Sequence, residues 1–176
     1  MFHFTLTLPD GGSRSISPQR AIAAAVEIPK DWRVLLADDC KVVRISFKYF
    51  LKKVEANWTV DEACTGEEAV EMTAADVNKY QLVIMDEYFG EGLMRGTEAT
   101  SAMKRLKVTA TVIGLTADAN VPGHKERARE SGQDHVLAKP FTSVDKFRGI
   151  LQRLLFVKGA GATTTASAAG AGGGTA

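Results

Sequence analysis

The run Leu82-Val83-Ile84-Met85 ends in two acids, Asp86 and Glu87, and the same pattern of apolar run followed by polar residue recurs along the chain. Val34-Leu35-Leu36-Ala37 leads into Asp38-Asp39, Val112-Ile113-Gly114-Leu115 into Thr116, and His135-Val136-Leu137-Ala138 into Lys139-Pro140. Such runs are too short to cross a bilayer and suit strands buried on both faces of a parallel sheet, so the polar residues emerge at the strands' carboxyl ends. In an open α/β sheet those ends line one crevice. The carboxylates of Asp38, Asp39 and Asp86, the Thr116 hydroxyl and the Lys139 ammonium would then share a site. Carboxylates gathered this closely repel unless a cation sits among them, and an oxygen-only ligand set favours Mg2+, which keeps positions open for phosphate oxygens. A carboxylate so held can attack a phosphoryl group to give an aspartyl phosphate, with the hydroxyl and the ammonium meeting the transferred oxygens.

The elements that must position these residues are legible in the periodicity. Residues 34–37, 58–63, 82–85, 112–115 and 135–138 read as strands. Between the first two, Val43, Phe47, Phe50, Leu51 and Val54 fall on one helical face. Thr65 and Glu68 form a capping-box pattern that opens a helix carrying Ala69, Val70 and Met72. After Pro140, the residues Val144, Phe147, Ile150, Leu151, Leu154 and Leu155 draw a closing amphipathic helix. The segment from Val121 to Gly132 is short of apolar residues, so its helix should expose one side. Five strands alternating with helices predict an α/β fold with a doubly wound, five-stranded parallel sheet covered on both faces.

Composition sets the bounds. At 176 residues, 45% of them hydrophobic, the chain can bury one good core and hardly a second. Its 22 basic and 21 acidic residues are intermixed, which leaves no electrostatic footprint for nucleic acid or an anionic membrane. The two cysteines, Cys40 and Cys64, form neither a CxxC pair nor a zinc-ligand pattern and read as small buried thiols in a reducing compartment. His124 and His135 read as packing or surface residues rather than ligands. Without a membrane-length apolar stretch or a secretory signal, membrane insertion is not expected and a cytoplasmic location is. Residues 157–176, rich in Gly, Ala and Thr, are expected to be a disordered tail, residues 10–31 a linker, and residues 32–156 the folded body.

The segments VLLADDCKVVR, VDEACTGEEAV, LVIMDE, VIGLTA and AKPF together resemble the receiver domain of two-component response regulators, in that family's order, over residues 33–156. The resemblance implies a flavodoxin-like sheet of strand order 2-1-3-4-5. It also implies that Asp86 accepts a phosphoryl group from a phosphohistidine, and that Asp38, Asp39, Asp86 and the backbone carbonyl of Tyr88 hold Mg2+. Thr116 is implied as the hydroxyl that bonds the phosphoryl group and Lys139 as its ammonium partner, followed by a cis peptide at Pro140. Ala117 matches the small residue that leaves the site accessible. The implied partners are a histidine kinase or a histidine phosphotransfer protein, with room for a weak homodimer and none for nucleic acid. The chain shows no kinase catalytic motif and, after its last helix, no stretch long enough for a DNA-binding output domain.

Two departures from the family pattern stand out. Phe89-Gly90 occupy the place of the usual Met-Pro, and the matching glycine, Gly96, lies ten residues beyond Asp86, so the loop is two residues longer. This loop borders the water that attacks the phosphorylated state in the family, which opens its lifetime to question. Val136 stands where an aromatic switch residue is common. At the N-terminus, the alternating Phe2, Phe4, Leu6 and Leu8 of MFHFTLTLP read as an edge strand and resemble the final strand of a histidine-kinase ATP-binding domain, which would make the chain the end of a hybrid histidine kinase. Competing readings are a degenerate receiver that only binds protein, and a Mg2+-dependent phosphohydrolase. The second lacks a general acid two residues beyond Asp86, where Tyr88 stands. Asp38 carries the weaker signal of the acidic pair, since an acid beside another acid can simply be solvated.

Overall fold

The structure is a computed structural model and describes residues 4–7, 13–16, 26–117 and 119–165. The chain divides into two compact units, Pro29–Val144 and a second formed by Met1–Ile28 with Asp145–Ala176.

The larger unit contains β3 (Arg33–Ala37), α1 (Lys41–Val54), β4 (Thr59–Ala63), α2 (Gly66–Ala74), β5 (Leu82–Met85), α3 (Gly96–Arg105), β6 (Thr111–Thr116), α4 (His124–Ser131) and β7 (His135–Ala138). Every strand pairing is parallel, in the order β4-β3-β5-β6-β7. Counted from β3, that is the expected 2-1-3-4-5 order. The central strands are buried along their length because helices cover both faces, which explains the near absence of polar residues in Val34–Ala37 and Leu82–Met85. Alternate residues go to opposite faces. Leu35, Ala37, Val83, Met85 and Val112 join Ala69 of α2 and Ala99 and Met103 of α3 in one core cluster. On the other face Leu115 borders a cavity with Val43, Phe47 and Phe50 of α1.

Local chemistry sets the helix ends. Thr65 Oγ1 accepts from Glu68 N at 3.1 Å, as the capping pattern predicts, while Glu68 Oε2 reaches the Cys64 N–H at 2.6 Å, one residue earlier than in the standard box. On α4 the exposed side is carried by charged residues, whereas His124, Ala128 and Ser131 are buried. His124 is thus a packing residue. Trp58 and Trp32, just ahead of β4 and β3, stack at 5.4 Å, and the Trp58 indole donates to the Pro29 carbonyl at 2.9 Å.

In the other unit β1 (Phe4–Thr7) and β2 (Ser13–Ile16) pair antiparallel, with Phe4 opposite Ile16 and Thr7 opposite Ser13. The reading of residues 10–31 as plain linker is therefore corrected at 13–16. The turn-forming Asp10-Gly11-Gly12 separates two segments short enough to make a hairpin. α5 (Val144–Thr165) buries Phe147, Ile150 and Leu151 and extends past residue 157, into the stretch expected to be tail. That continuation holds Gly159, Gly161 and three threonines, so it follows from the amphipathic part ahead of it and not from local propensity. Residues 166–176, and the rest of the N-terminal segment expected to be linker or strand, lie outside the described residues save 26–31. Gln152 of α5 donates to the Val26 carbonyl at 3.1 Å. Among the described residues no helix is long and apolar enough to cross a membrane.

Candidate functional site

Register brings the polar residues together. Ala37 pairs with Met85 and Met85 with Gly114, while Thr116 pairs with Ala138. Asp38, Asp86, Thr116 and Lys139 therefore leave the sheet at one edge. Backbone bonds continue past the strands: Asp38 N donates to Ala63 O at 3.1 Å, Asp86 N to Ala37 O at 2.9 Å, and Lys139 N to Thr116 O at 2.9 Å.

The Lys139 ammonium bridges two acids, 2.6 Å from Asp38 Oδ2 and 2.8 Å from Asp86 Oδ2. The remaining oxygens take backbone donors, Cys40 N on Asp38 Oδ1 at 3.0 Å and Glu87 N on Asp86 Oδ1 at 2.8 Å. Asp38, the weaker candidate by sequence, is 1% exposed, whereas Asp39 is exposed. One carboxylate oxygen from each of Asp38, Asp39 and Asp86 lies within 4.8 Å of the other two. Hard oxygen donors at this spacing, with Asp39 open to solvent, fit a small divalent cation such as Mg2+.

Burial pushes the Asp86 carboxyl above the ordinary aspartate range, against the pull of Lys139. Nearby Asp38 pushes it the same way as burial. Lys139 is held above the usual lysine range: burial works against its charge, and the bonds to Asp38 and Asp86 outweigh that. The two directions describe one under-neutralised cluster, two buried acids sharing one ammonium. Thr116 is 3% exposed at the end of β6, Ala117 beside it is exposed, and the Lys139-Pro140 peptide is cis. Tyr88 turns its side chain outward, 51% exposed, with the Arg95 guanidinium 5.7 Å from its ring centre.

The lengthened loop after Asp86 is anchored at both ends and in its middle. Phe89 is buried in the core cluster, and Glu67 at the start of α2 accepts from Met94 N at 2.7 Å. Glu87, which sequence reasoning left without a role, is 5% exposed and turns away from the acids. Its carboxylate accepts from Thr97 N at 3.0 Å and from Thr97 Oγ1 at 3.1 Å, capping α3 from across the loop. Gly96 is needed where it stands, because a Cβ there would overlap the Asp86 carbonyl oxygen.

Arg44 was also missed, although a signal existed. It falls at i with Phe47, Leu51 and Val54 at i+3, i+7 and i+10, so an arginine lies on the buried stripe of α1, where it is 8% exposed. The reading of the cysteines as buried is corrected: Cys40 and Cys64 are both exposed, each lying in a connection just beyond a strand end rather than inside the sheet.

A doubly wound sheet of this order, with acids, a hydroxyl and a lysine at the carboxyl edge, defines a receiver-type α/β protein. The chain belongs to the response regulator receiver domain family, whose family model matches residues 34–151. It is 31% identical over 110 residues to the two-component response regulator ORR41 of Oryza sativa subsp. japonica, covering 62% of this chain and 84% of that protein. It is 27% identical over 124 residues to the two-component response regulator ARR22 of Arabidopsis thaliana, covering 70% of this chain and 84% of that protein. Among solved structures it is similar to the receiver domain of a sensor histidine kinase from Pseudomonas aeruginosa, solved with a magnesium ion coordinated in its active-site cleft. That match has 25% identity and a TM-score of 0.60, covering 72% of this chain and 98% of that one. The chain is thus a signal-transduction receiver, a class that works with histidine kinases or phosphotransfer proteins.

Proposed function

We propose that this receiver accepts a phosphoryl group on Asp86 from a phosphohistidine, with Mg2+ held by Asp38, Asp39, Asp86 and the Tyr88 carbonyl. The observation that carries the reading is the Lys139 ammonium bridging Asp38 and Asp86 at 2.6 and 2.8 Å with Asp39 alongside. When bound, Mg2+ supplies positive charge for the phosphoryl oxygens. One Asp86 oxygen attacks phosphorus, the bond from phosphorus to the donor imidazole nitrogen breaks, and that nitrogen leaves with the electron pair. Lys139 then trades its bond to Asp86 for a bond to the new phosphoryl oxygens, and the Thr116 hydroxyl donates to another. That exchange is the natural source of a conformational signal, since it shifts the ammonium from the Asp86 carboxylate to the phosphoryl group. The receiver proper is read as residues 32–156. The assignment of residues 1–9 to the end of a kinase ATP-binding domain, and so of the chain to a hybrid kinase, has the Phe4–Thr7 strand in its support.

The test is incubation with Mg2+ and acetyl phosphate or phosphoramidate, followed by intact mass. A gain of one phosphate that disappears in Asp86→Ala is expected. Absence of any gain, together with absence of Mg2+ binding, would move the chain to a receiver that only binds protein.

A further inference from the structure

Arg44 places one nitrogen, Nη1, 2.7 Å from the carbonyl oxygen of Asp38 and 3.0 Å from that of Asp39. Its Nε donates to Glu62 Oε2 at 3.0 Å, and the other oxygen of Glu62 takes the Lys48 ammonium at 2.8 Å. A single buried guanidinium thus spans from β4 to two successive carbonyls of the turn between β3 and α1. Its bonds to this turn go to the backbone carbonyls of Asp38 and Asp39 and not to their carboxylates. A rigid planar fork suits this better than a flexible ammonium, because its donors keep their relative directions.

We propose that Arg44 is a positioning residue for the divalent-cation site. It fixes the backbone from which Asp38 and Asp39 project, and Glu62 in turn orients Arg44. The inference rests on the metal reading above. Arg44 acts on a cation in two ways of opposite sign. As a charge it repels one, so its loss alone would tighten binding. As a clamp it orders the turn in advance, so its loss leaves that ordering to the bound ion and weakens binding. Glu62 pairs with Arg44 and damps its repulsion, which leaves the clamp as the larger effect. Outer partners of metal ligands are commonly worth about 10- to 100-fold in affinity.

Calorimetric titration of the full chain with magnesium chloride tests this, with thermal melts of each cation-free variant alongside. Arg44→Lys keeps the charge and loses the fork, and Glu62→Gln keeps the shape and loosens the anchor. Both are expected to weaken Mg2+ binding about tenfold. Arg44→Met is expected to weaken it as well, although it removes a positive charge. Affinity unchanged in Arg44→Lys and Glu62→Gln, or tightened in Arg44→Met, overturns the clamp and leaves the metal site standing. Absence of Mg2+ binding by the unsubstituted chain overturns the metal reading, and this inference with it.

Discussion

Replacing Lys139 by methionine keeps most of the side chain's volume and removes the ammonium that lies 2.6 Å from Asp38 and 2.8 Å from Asp86. Without a divalent cation, two buried carboxylates would then face each other with no bridging charge. Removing one member of a buried ion pair typically costs about 3–5 kcal/mol. The loss has a ceiling, because a carboxyl can take up a proton instead. At pH 7 protonating an ordinary aspartate costs about 1.36 kcal/mol per pH unit above a pKa of about 3.9, or roughly 4 kcal/mol. At pH 5 the same ceiling is about 1.5 kcal/mol. The sign follows from the raised Asp86 value, which the substitution raises further. A group whose folded pKa exceeds its unfolded one stabilises fully below the unfolded value and loses that contribution as pH rises through the folded one. The deficit of Lys139→Met is therefore expected near 3–4 kcal/mol at pH 7, about 1 kcal/mol at pH 5, and reduced by millimolar Mg2+. For a unit of this size, 3 kcal/mol corresponds to a Tm lower by about 10 °C. Urea titrations at both pH values, with and without Mg2+, measure it. An equal deficit at pH 5 and pH 7 would refute the reasoning, because the loss would then come from packing.

Two further outcomes follow from the loop beyond Asp86. Gly96→Ala forces a methyl onto the Asp86 carbonyl oxygen, so the backbone must shift. The variant is expected to lose about 2 kcal/mol by urea midpoint and to take up phosphate from acetyl phosphate markedly more slowly. Glu87→Ala removes the carboxylate that bonds Thr97 at 3.0 and 3.1 Å, with an expected loss of about 1–2 kcal/mol, while Glu87→Gln, which can still accept from Thr97 N, should recover most of it.

Much of the fold was legible because most strands of the parallel sheet are short apolar runs bounded by polar residues. The runs at 34–37, 82–85 and 135–138 match the observed strands to within a residue. The acids after Ala37 and Met85, and the lysine after Ala138, could be placed at one edge because parallel strands all present the same end there. What stayed hidden were roles set by which way a polar side chain turns. Asp38 and Asp39 are adjacent letters, yet the first is buried on Lys139 and the second is exposed. Asp86 and Glu87 are likewise adjacent, and the turn after β5 sends one to the lysine and the other ten residues on to Thr97. Arg44 shares the buried stripe of α1, and only its place above the β3–α1 turn gives the guanidinium two carbonyls to hold. The cysteines reversed their expected burial for the same reason, since connections leave the sheet while strands stay in it. By itself, then, the sequence determined the five parallel strands, their alternation with helices and the edge at which the polar residues gather, because these rest on local periodicity and on the geometry common to parallel sheets. Only the tertiary structure decided which acid is buried, which caps a helix and which carbonyls Arg44 holds, because those depend on partners 5 to 101 residues away meeting at distances near 3 Å.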